Sequence, residues 1–103
     1  MHFSVDTKTA GRIRESGQFI RQGAVSLRFL PQNFYRYSPV VSKRQGGAVV
    51  RNRVKRIIRE IMLKGTGRYP EGAYLVFFNG DCTSLDKKIL ASDIDKLMSM
   101  IQK

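Results

Sequence analysis

Between residues 48 and 64 the apolar positions are Val50, Val54, Ile57, Ile58 and Ile61, spaced i, i+4, i+7, i+8 and i+11. That stripe predicts a helix from Ala48 to about Lys64, with Gln45-Gly46-Gly47 breaking the chain before it and Gly65-Thr66-Gly67 after it. Ala10, Ile13, Gly17 and Ile20 also recur at helical spacing and precede Gly23, a residue type suited to a left-handed helix end. A first helix is therefore predicted over about residues 9–22. Val25, Leu27 and Phe29 alternate with Ser26 and Arg28, which predicts a strand over Val25–Leu30, closed by Pro31-Gln32-Asn33. A second strand is expected over Arg36–Ser42. Pro39 has no N–H to give to a ladder, so that strand belongs at a sheet edge or carries a bulge. Ala73–Phe78 is a continuous apolar run after a turn at Tyr69–Gly72, and it reads as a buried strand stopped by Asn79-Gly80-Asp81. Ser92, with Asp95 three residues on, is placed to cap a last helix whose face carries Ile94, Leu97, Met98 and Ile101.

The predicted order is α-β-β-α-β-α, an α+β fold of the two-layer sandwich type. With 103 residues, no internal repeat and no linker-like stretch, residues 1–103 are expected to form one domain. A 42% hydrophobic content with six Phe and four Tyr is too rich for a disordered basic tail. The longest apolar run has six residues, against about 20 needed to cross a bilayer. Asp6, Arg12, Arg14 and Glu15 interrupt the start of the chain, and the single Cys82 has no partner for an internal disulfide. A cytoplasmic location is expected on both counts.

Charge changes the picture because of where it sits. The chain carries +11 overall, yet residues 43–68 hold nine basic side chains against one acidic, while residues 69–103 hold four against five. A basic protein charged only for solubility would spread the excess, so a polyanion partner is the first expectation. Opposite the apolar stripe of the central helix lie Arg51, Asn52, Lys55, Arg56 and Arg59, with Arg53 on the flank. Arg51, Lys55 and Arg59 are four apart and repel one another by a few tenths of a kcal/mol each. Arginine's planar fork matches phosphate oxygens, and a row rising about 1.5 Å per residue can follow a phosphate backbone. An ordinary solvated face mixes signs, whereas here only Glu60 offsets the row. Insertion into a DNA major groove is the competing reading; glycine breaks and β-runs flank the helix where a helix-turn-helix would need a partner helix.

The run S-K-R-Q-G-G-A-V-V-R-N-R-V-K-R-I-I-R-E, Ser42 to Glu60, resembles the signature of the protein subunit of bacterial ribonuclease P, and the surrounding element order is similar over nearly the whole chain. The resemblance implies an α/β sandwich with an extra strand and a left-handed βαβ crossover, where a right-handed one is the general rule. It implies that Lys43, Arg44, Arg51, Asn52, Arg53, Lys55, Arg56 and Arg59 contact the catalytic ribonuclease P RNA. It further implies a cleft between the first helix and the sheet that receives the single-stranded 5′ leader of precursor tRNA, typically with aromatics for base stacking. Two family aromatic positions are Ser16 and Ile20 here, and Arg28 stands where an aromatic is often found. The candidate cleft residues are accordingly Arg12, Phe19, Arg28, Phe29 and Tyr37, with Tyr35 a further substitute. Each of these aromatics also suits the core.

The chain itself offers little for hydrolysis. His2 is its only histidine and Cys82 its only cysteine, too few for a zinc site or a histidine acid–base pair. Asp81, Asp86, Asp93 and Asp95 are near in sequence, but Asp93 and Asp95 fall on different sides of a helix, and all four read as caps and solvated turns. No catalytic and no metal-ligating residue is expected, nor a cofactor bound by the protein alone. By resemblance the chemistry belongs to Mg2+ ions held by the RNA subunit. A structural RNA-binding protein of similar shape and a self-sufficient nuclease remain the alternatives.

Overall fold

The computed structural model describes residues 5–101. Helix α1 (Thr7–Ser16) starts at Asp6, whose carboxylate accepts from the Thr9 N–H at 2.7 Å, and buries Ile13. It stops at Gly17, not at residue 22 as the helical spacing predicts. The Gly17 N–H closes the helix on the Ile13 carbonyl at 2.8 Å and the backbone then turns extended. A Cβ at Gly17 would lie 2.6 Å from that carbonyl oxygen and 2.9 Å from the Phe29 carbonyl oxygen, so the crossing from helix to sheet needs glycine. Gln18–Gln22 is strand β1, and it pairs antiparallel with β2 (Val25–Pro31) through a two-residue turn. Gly23 occupies that turn at φ 60°, a value L side chains rarely adopt.

Strand β3 (Tyr35–Val41) and helix α2 (Ala48–Lys64) lie where the sequence places them, as does β4 (Gly72–Phe78). Helix α3 spans Lys87–Met100 and begins five residues before the predicted cap. Asp86 caps it, accepting from the Lys88 N–H at 2.9 Å, while Ser92 sits within the helix on its exposed side. The extra turn buries Leu90, which the pattern from Ser92 onward omits.

The observed order is α-β-β-β-α-β-α, an α+β sandwich around one four-stranded sheet ordered β1-β2-β4-β3. The extra strand implied by the resemblance is accounted for. β2 is antiparallel to both β1 and β4, whereas β3 and β4 are parallel and joined through α2. β3 is an edge strand, which is where Pro39 is tolerated.

The pleat divides the sheet into two unequal layers. Val25, Leu27, Phe29, Tyr37, Tyr74, Val76 and Phe78 face α2 and α3 and form the main core with Val54, Ile58, Met62, Leu90, Ile94 and Leu97. Each fully buried Leu or Ile there contributes about 1.5–3 kcal/mol. The other face packs Ala73 and Leu75 against Ile13 of α1, with Leu30, Phe34, Val40 and Phe77 around them. One short helix covers that second face.

Candidate nucleic-acid interface

Burial of Val54, Ile57, Ile58, Ile61 and Met62 fixes the rotation of α2 and thereby its outer face. Asn52, Arg53, Arg56 and Arg59 are exposed, and Arg51 and Lys55 are half-buried. Arg51 has a second duty: its Nε donates to the Gly46 carbonyl at 3.1 Å, fastening the helix to the glycine turn before it. Among the described residues Arg53, Lys55 and Arg56 make no hydrogen bond or ion pair. Glu60, the acid that could have neutralised the row, turns instead to Lys87 of α3, with 3.2 Å between Nζ and Oε2. Arg59 lies beside Tyr37, whose hydroxyl is kept protonated upward of its ordinary range by burial, with the guanidinium pulling the other way. Lys43 and Arg44 are exposed on the 3-10 turn Lys43–Gln45 that leads into α2. No acidic residue stands in the first turn of α2, so the positive end of its dipole adds to these cations.

The candidate cleft residues divide between the two faces of the sheet. Phe19 on β1 is 55% exposed, and across the strand pair from it the Arg28 guanidinium lies 5.0 Å from the ring centroid. These two residues project on the α1 face, and Arg12 is exposed on α1 itself. Phe29 and Tyr37 do not belong with them. They point the opposite way, into the core beneath α2 and α3, where Phe29 packs on Tyr74 with 4.8 Å between centroids. The alternation that places Arg28 outward places Phe29 inward, so neither aromatic offers a base a surface. Tyr35 is likewise engaged, its hydroxyl donating to the Met62 carbonyl at 2.6 Å.

Residues missed by the sequence reading complete the open face. Arg21, Ser26, Phe77 and Val40 form one row across the four strands, and Phe19, Arg28, Leu75 and Ser38 form the next. Phe77 is half-buried there, and the Arg36 guanidinium stands 5.3 Å from the Phe34 ring near the far edge. No apolar alternation runs through Gln18-Phe19-Ile20-Arg21-Gln22, because Phe19 and Ile20 are adjacent, so the sequence carried no strand signal there to set against the helical spacing of Ala10, Ile13, Gly17 and Ile20.

Most of the remaining chemistry-bearing groups are engaged in local contacts or burial. Asp81 accepts from the Thr83 N–H and hydroxyl, and these bonds hold its carboxyl below the usual range. Asp95 accepts from the Tyr69 hydroxyl and pairs with Arg68 at 3.6 Å, while Asp93 lies on another side of α3. Cys82 is buried, which pushes its thiol up. His2 lies outside the described residues. Among those residues no three His, Cys, Asp or Glu side chains form a group that could hold a metal ion, and no helix is long and apolar enough to cross a membrane.

Residues 7–102 match the family model described as Ribonuclease P. The ribonuclease P protein component of Coprothermobacter proteolyticus is 31% identical over 90 residues, covering 87% of this chain and 76% of the relative. That of Pelotomaculum thermopropionicum is 32% identical over 94 residues, covering 88% and 84%. Among solved structures, the ribonuclease P protein of Thermotoga maritima superposes with a TM-score of 0.86 at 20% identity, covering 97% of this chain and 98% of that one. The Staphylococcus aureus protein does so at 0.85 and 17%, covering 97% and 95%. At such identities these two structures speak for the fold.

Proposed function

The chain belongs to the ribonuclease P protein family, and from that premise we propose that α2 docks it on the ribonuclease P RNA while the α1 face of the sheet receives the 5′ leader of precursor tRNA. The observation that carries the first half is the unpaired arginine row. Arg53, Arg56 and Arg59 stand exposed on a rigid helix, and the one acid of that helix is occupied elsewhere. Three like charges held together without counter-charge cost stability, and phosphates relieve that cost. Lys43 and Arg44 extend the row, and Asn52 adds a neutral donor and acceptor for a base or a 2′-hydroxyl.

The second half is supported by the combination on the open face. Phe19 provides a ring for stacking, and Arg21 of β1, Arg28 of β2 and Arg12 of α1 provide charge for the backbone of a single-stranded RNA. This is a binding surface without a general acid or base. Magnesium, when bound by the RNA subunit, would supply Lewis-acid chemistry at the phosphate. The protein's part is to hold leader and ribozyme together and to screen their mutual repulsion. That role places it in the cytoplasm with precursor tRNA.

The test is the salt dependence of binding to the RNA subunit. Replacing Arg53 with Ala should weaken binding and lower the slope of log K against log salt by about 0.7–0.9, the contribution of one phosphate contact. An unchanged slope would remove Arg53 from the phosphate interface.

A further inference from the structure

Where β1 turns into β2, the N-terminal end of α3 closes a cavity whose charge is opposite to that of the molecule. Its volume is about 220 Å3, and its apolar lining comes from Val25 and Phe78 of the sheet and from Leu85, Ile89 and Leu90. Ile89 is 60% exposed, a large apolar side chain left in water at the mouth. Asp81, Asp86 and Asp93 stand among the lining residues. The first two commit Oδ1 to capping their own turns. Asp93 is half-buried and makes no hydrogen bond or ion pair to any described residue. The hairpin backs it closely, since a Cβ on Gly23 would lie 2.8 Å from its Oδ2. Lys87, in the first turn of α3, is drawn away to Glu60.

The chemistry restricts the occupant. RNA phosphates are repelled by three carboxylates, and a neutral apolar ligand would desolvate them without compensation. A cation without an apolar body would leave Ile89 and the cavity lining in water. We propose that this cavity docks a basic amphipathic segment of a partner polypeptide, one large apolar side chain entering between Ile89, Leu85 and Phe78 while flanking Lys or Arg residues meet Asp81, Asp86 and Asp93. Charge complementarity carries the choice, because this is an acidic concavity on a chain of +11 and attracts what the rest of the surface repels.

The experiment is a titration of the isotopically labelled full chain, followed by amide chemical shifts, with the peptide acetyl-Lys-Leu-Arg-Leu-Lys-amide. Saturable shifts confined to the Ala24 turn, residues 80–86 and the first two turns of α3 are expected. Ile89→Ser, at an exposed position that leaves the core intact, should weaken binding roughly tenfold, and Asp93→Asn should weaken it and reduce its salt dependence. A peptide with serines in place of the leucines should shift nothing. Equal shifts from that serine peptide or from spermidine would reduce the site to charge alone and overturn the proposal. So would shifts spread over the whole surface, or none at all. Concentration-dependent shifts at the same amides without peptide would make a second copy the occupant, which also overturns it.

Discussion

Arg68, Tyr69 and Asp95 show how a few side chains tie the end of α2 to α3. The Tyr69 hydroxyl donates to Asp95, Arg68 pairs with the same carboxylate, and its guanidinium lies 4.9 Å from the Tyr69 ring. Burial first, and the bond to Asp95 second, push the Tyr69 hydroxyl from 10.0 up to about 12. The unfolded chain releases this proton near pH 10 and the folded chain holds it to about 12, so the stability is complete below pH 10 and drains away as the pH rises between those values. Urea unfolding across this range should show the loss, and Tyr69→Phe should make it shallower. Phe19 is the residue to test on the open face. Replacing it with Ala should lower affinity for precursor tRNA by about 5- to 100-fold, one base stack, and leave affinity for mature tRNA and thermal stability unchanged. Equal losses for both tRNAs would mean that Phe19 does not touch the leader. At this scale the sequence was an uneven guide. Helical spacing segregated the basic residues of α2 from Ile57, Ile58 and Ile61, but it drew the row through Arg51, Lys55 and Arg59, whereas Arg53, Arg56 and Arg59 are the exposed arginines and Arg51 and Lys55 are half-buried; Phe29 and Tyr37 suited core and cleft alike until the strands had been assigned to faces.

Among the elements, α2 was legible from end to end because its apolar stripe is long and bounded by glycines. β1 was not, since the adjacent apolar pair Phe19-Ile20 shows no strand alternation while Ile20 falls in helical register after Ala10 and Ile13. The strand is set by tertiary geometry at Gly17, where a Cβ would lie 2.9 Å from the Phe29 carbonyl oxygen and the backbone turns extended to pair with β2. Gly17→Ala should therefore destabilise the fold by about 1–3 kcal/mol, the ordinary cost of forcing atoms into a packed site. It should also loosen β1 specifically, seen as faster amide exchange in Gln18–Gln22. A neutral substitution would show that the crossing has slack. The start of α3 was misplaced for a related reason. Asp86 and Ser92 are both competent caps, and only the burial of Leu90 favours the earlier one.

For the whole molecule, the uneven charge becomes a division of labour between surfaces. Residues 43–68, with nine basic side chains against one acidic, supply the outer face of α2 and the turn before it, while the nearly neutral last third mainly completes the core and forms the acidic cavity. The family and the fold were legible in the Ser42–Glu60 run and the element order. The open α1 face was only partly so, because it is assembled from four strands whose order, β1-β2-β4-β3, leaves no local trace. In the proposed function this chain assists an RNA catalyst and does not cleave by itself. This is tested most directly by following removal of the 5′ leader from precursor tRNA at low magnesium with the RNA subunit alone, the protein alone and the two together. Rapid cleavage only in the combined reaction, slowed by Arg53→Ala and restored by raising magnesium, is the predicted result. Cleavage by the purified protein alone, or no stimulation of the RNA at low magnesium, would contradict it.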